Sequence, residues 1–232
     1  MSEWWTYRPT DFLMFAPRTY WRLFELHNDA WWPVQPLLVL AALAWMAWLM
    51  QTLPGGSQGV PALRVGAAGL AAAWAFVAGS FLLPRYAPIN WAASGFAAGF
   101  FVQALGLAAL ATRAKLRVAP PGARRRIGLL LGLWALLGHP LLAAACGRPW
   151  TQAEVFGLAP DPTAIATLGF LLAADAPGRP ARWLLRWLWT VALAWCAISA
   201  ATLLTMGSPQ GWLLLAAGLL AMAAAWPSRP SA

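Results

Sequence analysis

The stretch Arg124–Cys146, RRRIGLLLGLWALLGHPLLAAAC, places three consecutive arginines before 20 residues that contain no Asp, Glu, Lys or Arg. A helix needs about 20 apolar residues to cross roughly 30 Å of hydrocarbon. Inside a bilayer the backbone has no water to bond, and a helix satisfies its own N–H and C=O groups. The stretch therefore predicts a membrane-spanning helix with a basic flank.

Similar apolar runs occupy most of the 232 residues, of which 61% are hydrophobic and only 10% are charged. Those proportions lie outside the range of ordinary soluble domains. We expect an all-α membrane protein, a seven-transmembrane-helix bundle over residues 34–227, followed by a short cytoplasmic tail at 228–232. The predicted spans, separated by turn-forming residues, are Leu37–Leu53, Leu63–Leu83, Trp91–Ala111, Ile127–Cys146, Pro162–Ala174, Trp183–Thr205 and Trp212–Trp226.

The fifth predicted span is unusually short. Its 13 residues, Pro162–Ala174, give a helix of about 20 Å at 1.5 Å per residue. A re-entrant hairpin would move the arginines at 179–186 away from the basic residues at 113–126. We therefore expect a short helix that still crosses, entered by the extended stretch Val155–Ala159.

The basic residues predict an orientation. The break at 113–126 holds six of the 16 basic residues, and Lys and Arg are enriched in cytoplasmic loops. With seven crossings, 11 of the 16 fall on that side and five on the other. The amino terminus is then extracytoplasmic and the carboxyl terminus is cytoplasmic.

Residues 1–33 are rich in Trp and Tyr, whose rings favour the headgroup region, and they predict an extracytoplasmic aromatic collar. Pro17 suits the first turn of a short helix that reaches Asn28. We expect the apolar side of this amphipathic segment to lie flat on the bilayer. Its outer face is a candidate docking surface formed by Trp4, Trp5, Trp21, Glu25, His27, Trp31 and Trp32.

Several functional classes are disfavoured. The formal charge of +9 does not indicate nucleic acid, because the arginines lie between apolar runs rather than on a soluble basic face. Cys146 and Cys196 lie in different runs without disulfide or metal-ligand spacing. The last run lacks the lysine that a retinal Schiff base requires, and no P-loop, dinucleotide fingerprint or nucleophile motif occurs. We therefore assign no catalytic residue, metal or cofactor, and no nucleic-acid partner.

One polar constellation interrupts the apolar pattern. His139 precedes a proline in the fourth span, and Asp161 and Thr163 open the fifth. His139 lies about 18 Å above Ile127, and Asp161 about 21 Å above Asp175, so both are expected at a similar depth. Broken helices at such depths form the substrate sites of many transporters. The competing interpretation is structural, with Asp161 as a helix N-cap and His139 bonded to a neighbouring helix.

Two motifs resemble an uncharacterised family of bacterial multi-pass membrane proteins. The first motif runs from Glu3 to Asn28 and includes PRTYWRLFEL at 17–26, and the second is FGLAPDPT at 156–163 followed by TLG at 167–169. That family is known only by a domain of unknown function, and its members are sometimes labelled permeases. The resemblance implies a bacterial inner-membrane protein and supplies no site residues.

Three functional hypotheses follow. The first is a polytopic inner-membrane protein that acts as a small permease or transport-complex component for a proton, cation or small polar solute, with its site at the break between the fourth and fifth spans. The alternative is a non-catalytic accessory or scaffold subunit of a larger membrane complex. The third is an intramembrane enzyme with an outward-facing site. The expected partners are the lipid bilayer and either other membrane subunits or a second copy.

Overall fold

The computed structural model describes residues 13–52, 59–113 and 115–225, and within them the chain forms eight helices and one short strand pair. Predictions that fall on Trp4, Trp5 and the tail at 228–232 lie outside these residues. The helices are α1 Pro17–Ala30, α2 Val34–Gln51, α3 Gly59–Tyr86, α4 Ala93–Arg113, α5 Ala123–Ala145, α6 Pro160–Ala173, α7 Arg179–Thr205 and α8 Gln210–Ala225. Strand β1, Arg117–Val118, pairs antiparallel with β2, Ala174–Asp175.

The protein is a helical bundle suited to a membrane, but the number of crossings differs from the prediction. Each of the seven predicted runs overlaps one helix of the described chain. Five of them, α2, α3, α4, α5 and α7, are long and apolar enough to cross a membrane. Helices α6 and α8 have only 14 and 16 residues. The seven-span count is therefore not confirmed.

The bundle has two distinct ends. We call the first the α1 end, where α1 packs beside the last turns of α3 and the turn Trp150–Gln152. Asn28 fastens this contact, since its Nδ2 donates to the carbonyls of Thr151 and Ala153, both at 2.8 Å. We call the opposite end the ladder end, because the β1–β2 pair lies there.

Helix α6 lies in the middle of the bundle. All of its residues except Ala166 are buried, against α3, α5, α7 and α8. This position accounts for the absence of a solvent-facing polar side on α6, because neighbouring helices cover it all round. The predicted extended stretch before it is instead a turn, in which Gly157 has a φ of +80°.

A glycine contact sets the distance between α5 and α6. A Cβ atom on Gly169 would lie 2.5 Å from the Gly128 carbonyl oxygen and 3.0 Å from the Gly132 nitrogen. The two backbones therefore touch, as small residues allow in membrane helices. By contrast, Cβ atoms on Gly95 and Gly99 would meet nothing within 4 Å.

Helix α1 is amphipathic, but its apolar side packs on protein rather than lying on the bilayer. Its buried residues are Tyr20, Leu23, Phe24 and His27, at the i, i+3, i+4, i+7 spacing of one helix face. The Phe24 ring stacks on Phe81 of α3 with centroids 4.7 Å apart. The expected interfacial segment is thus part of the folded bundle.

Helix α2 is the least embedded of the long helices. An apolar cavity of about 440 Å³ separates it from α3, α5 and α6. Trp45 bridges the gap, and its Nε1 donates to the Ala62 carbonyl at 2.7 Å. The lining contains no ionisable side chain, so this cavity does not suit a charged solute.

Candidate functional site

His139 lies where α5 changes its winding. The preceding five residues, Trp134–Gly138, form a π-helical turn, and such turns recur at functional sites. Pro140 follows without a backbone N–H to donate. The imidazole is only 2% exposed, and neither ring nitrogen has a hydrogen-bond partner among the described residues.

Glu154 reaches the same place from the segment that joins α5 to α6. Asn28 holds the neighbouring Ala153 carbonyl at 2.8 Å, which fixes the segment against α1. The Glu154 side chain is 2% exposed, and its Oε2 lies 3.7 Å from His139 Nε2. Its other oxygen, Oε1, is buried and has no hydrogen-bond partner in the described chain.

Asp161, the second residue of α6, completes the group. It is fully buried. Oδ1 accepts a hydrogen bond from Trp195 Nε1 at 2.8 Å, and Oδ2 accepts one from Ser199 Oγ at 2.7 Å. The N-cap of α6 is Ala159, and no side chain caps this end. The carboxylate is therefore directed at α7 rather than at its own helix terminus.

These three side chains form what we call the acid–histidine cluster. One nitrogen of His139 and one oxygen each of Glu154 and Asp161 lie within 4.8 Å of one another. The structure therefore brings His139 and Asp161 together, while their role as a site stays a prediction. Each of these residue types is a metal ligand, and carboxylates and imidazole also exchange protons.

Thr163, predicted as part of the same site, faces the backbone instead. Its Oγ1 accepts from the Gly157 N–H at 3.0 Å and donates to the Ala159 carbonyl at 2.7 Å. These bonds close the turn before α6. Thr163 thus positions the backbone between Glu154 and Asp161.

One cation lies beside the cluster. The Arg148 guanidinium stacks on the Trp21 ring at 3.4 Å, and its Nη1 donates to the Gln152 carbonyl at 3.1 Å. Burial lowers the pKa of Arg148, and attraction to Glu154 acts in the opposite direction. Arg148 therefore places a positive charge near Glu154, in a position set by Trp21.

Much of the predicted docking surface is engaged within the protein. Trp21 is covered by Arg148. Glu25 pairs with Arg22 and accepts from Gln152 Nε2 at 3.2 Å, and these hydrogen bonds lower its pKa. Among the described members of the set, Trp31 and Trp32 are exposed, at 36% and 71%.

His27 is inside the protein rather than at the docking surface. It is fully buried, and its Nδ1 accepts from Arg85 Nε at 3.2 Å. Burial, and then the charge of Arg85, lowers the pKa of His27 to about 4. It is therefore neutral at pH 7 and separate from the acid–histidine cluster.

Three residues at this site, Glu154, Trp195 and Ser199, were not predicted from the sequence. Glu154 is the only acidic residue between Asp29 and Asp161, and that isolation was a usable signal. Trp195 and Ser199 are four residues apart on α7, which places them on one helix face. Nothing in their own composition distinguished them from packing residues, because their role depends on which helix α7 meets.

The comparisons with known proteins place the chain in a family. A model described as "Family of unknown function (DUF6064)" matches residues 18–230. No curated protein and no solved structure matches the chain.

Proposed function

The chain belongs to the DUF6064 family, and from the chemistry of the site we propose that this membrane protein is a small permease, or transport-complex component, for a cation. The observation that supports this is the acid–histidine cluster itself. His139, Glu154 and Asp161 are each at most 2% exposed, although burial of ionised carboxylates is costly unless they are paired. Ionisable groups at membrane depth commonly mark ion pathways.

A cation would offset that cost. Two carboxylates that approach within 4.8 Å repel each other when both are ionised, and a bound proton or metal ion relieves the repulsion. Pro140 and the π-helical turn interrupt α5 beside the cluster. Irregular backbone of this kind is tolerated in membranes where it is buried in protein or lines a wet cavity.

The membrane arrangement is part of the proposal. We assign seven crossings in a bacterial inner membrane, with the amino terminus outside and the carboxyl terminus inside, because this arrangement places 11 of 16 basic residues on the cytoplasmic side. The cluster then lies in the outer half of the bilayer. Reporter fusions at both termini in intact cells test the topology, and a cytoplasmic amino terminus would reverse it.

Transport is tested in proteoliposomes loaded with a pH-sensitive or a divalent-metal-sensitive fluorophore. We expect cation flux above that of empty liposomes, and at least a tenfold reduction in Asp161→Asn. Glu25→Gln is the matched control, because Glu25 lies at the same end outside the cluster. If neither fluorophore responds to the wild-type protein, the permease proposal is wrong.

The second candidate function is that of a non-transporting accessory subunit. The observation that favours it is the complete enclosure of the cluster, because transport needs a movement that exposes these side chains. Purification in mild detergent separates the candidates. Stoichiometric recovery with a larger membrane complex supports the accessory role, and a monomer or homo-oligomer with cation flux supports the permease.

A further inference from the structure

We propose that His139, Glu154 and Asp161 bind one divalent transition-metal ion, such as Zn²⁺ or Mn²⁺, within the helix bundle. This inference deepens the proposed function and rests on it only for the ion's movement. The binding site itself is argued from the three side chains and their surroundings.

The donor atoms are close enough for one ion. Nitrogen and oxygen ligands lie about 2.0–2.2 Å from Zn²⁺ in a tetrahedral arrangement, so two ligands of one ion are about 3.4 Å apart. The three donors already lie within 4.8 Å of one another. Closure requires a shift of about 1.4 Å or less, and His139 Nε2 and Glu154 Oε2 are already 3.7 Å apart.

The charge of the site selects a divalent ion. Metal ligands bind in their deprotonated forms, so the two carboxylates and the imidazole bring a charge of −2 to a bound ion, which a divalent cation balances. Arg148 stacks on the Trp21 ring and donates to the Gln152 carbonyl, and its attraction to Glu154 offsets part of this charge. Imidazole suits Zn²⁺ or Fe²⁺, and the two carboxylates also suit Mn²⁺, whereas Mg²⁺ and Ca²⁺ prefer oxygen ligands alone.

Two of the proposed ligands, His139 and Glu154, have polar atoms that could bind an ion. Both ring nitrogens of His139 and Oε1 of Glu154 are buried with no partner in the part of the chain that the structure describes. An unpaired buried polar atom costs about 1–3 kcal/mol. Coordination gives one ring nitrogen of His139 and one carboxylate oxygen of Glu154 a partner that the protein does not.

The third proposed ligand, Asp161, is held in a fixed orientation by hydrogen bonds. Trp195 and Ser199 each donate to one oxygen of Asp161 and leave a second lone pair on that oxygen. Hydrogen bonds of this kind hold a ligating carboxylate in place, and their loss typically costs 10–100-fold in metal affinity. Trp195 and Ser199 are therefore positioning residues, and Ser199→Ala should weaken binding without abolishing it.

The test measures binding rather than transport. The full chain in detergent micelles is dialysed against Zn²⁺ or Co²⁺, and the bound metal is counted per chain. We expect one ion per chain in wild type and in the control Glu25→Gln, and at least 100-fold weaker binding in Glu154→Gln and Asp161→Asn. Equal binding by these variants, or no stoichiometric binding by wild type, would overturn the site.

A variant that gains an absorption band tests ligation even if the loss-of-binding variants fold poorly. In His139→Cys, a thiolate replaces the imidazole as ligand, and Co²⁺ should then show a thiolate-to-metal charge-transfer absorption that wild type lacks. Absence of this band in a monodisperse His139→Cys sample that still binds Co²⁺ would contradict ligation at position 139.

The outcomes separate the two proposals. One bound ion without flux in proteoliposomes retains the metal site and removes the permease. Proton flux without metal binding retains the permease and removes the metal site.

Discussion

The two ends of the bundle bury ionisable side chains in opposite ways. At the ladder end, Arg124 Nη2 donates to the carbonyls of Leu171 and Ala174 at 3.2 and 2.8 Å. At the α1 end, the acid–histidine cluster keeps donor atoms of His139 and Glu154 without partners among the described residues.

Arg125 extends this contrast. It is 8% exposed, and its Nη2 donates to the carbonyls of Leu49 and Thr52 at 3.1 and 3.4 Å. These carbonyls close the C-terminal end of α2, where backbone groups lack helical partners and the helix dipole favours a cation. The arginines that predicted orientation therefore also cap neighbouring helices.

The difference distinguishes structural charge from a binding site. A charge that supports the fold donates to protein carbonyls, as Arg125 and the half-buried Arg124 do through Nη2, although Nε of each has no partner among the described residues. A ligand site retains donors or acceptors that the protein leaves unpaired, at a cost in stability. Four substitutions probe this contrast, from the largest expected effect to the smallest.

Zinc should stabilise the wild-type protein strongly through the α1 end alone. At a free concentration 1,000 times the dissociation constant, a bound ligand stabilises the folded state by about 4 kcal/mol. Asp161→Asn should remove this gain in the free energy of unfolding, measured with and without Zn²⁺, whereas Arg126→Met should keep it. A zinc effect that survives in Asp161→Asn would show that the ion acts elsewhere.

Gly169→Ala should weaken the close contact between α5 and α6, the two helices that run between both ends of the bundle. The added Cβ would lie 2.5 Å from the Gly128 carbonyl oxygen, a rigid backbone atom, so the helices must separate at a cost of about 3 kcal/mol. Denaturant titration in mixed micelles measures the loss. Gly99→Ala, where the Cβ meets nothing within 4 Å, is the control and should be close to neutral.

Arg125→Met should test the ladder end by itself. Loss of the charged hydrogen bonds to Leu49 and Thr52 is expected to cost about 2 kcal/mol in the free energy of unfolding. Metal stoichiometry should not change. The exposed Arg126 provides the control Arg126→Met, and a loss of metal binding in Arg125→Met would show that the two ends are coupled.

The smallest expected effect comes from His27, which is buried and neutral at the α1 end. Its pKa of about 4 in the folded protein lies below the ordinary value of about 6.5. As pH falls below 6.5 the unfolded chain takes up a proton that the folded chain does not, so stability declines until the pH reaches about 4.

At pH 5.5 this loss is about 1 kcal/mol relative to pH 7.5. Thermal unfolding at both pH values measures it, and His27→Gln should reduce the difference, because glutamine does not titrate. An unchanged pH dependence in His27→Gln would assign the decline to other groups.

Much of the fold was predictable from local sequence. The apolar runs and their Gly and Pro breaks located a helix in each predicted span, because backbone hydrogen bonding in an apolar environment requires helices. The heights of His139 and Asp161 along their helices, at 1.5 Å per residue, also predicted that the two residues lie near one another. The packing of α1 was not predicted, because an amphipathic face in sequence looks the same whether protein or lipid covers it.

The site was predictable only in part. Glu154 lies in a non-helical segment whose path depends on the Asn28 contact with Ala153, 125 residues away. Thr163 carried the right chemistry but turns to the backbone. Periodicity describes one helix at a time and contains no information on such long-range contacts.

The amino-acid sequence by itself determined that this chain is helical and apolar enough to suit a membrane, because hydrophobicity and helix length are local properties. Tertiary structure decided which buried charges are capped and which remain free to bind. That outcome depends on distances between side chains from α5, the following segment, α6 and α7, which only packing brings together.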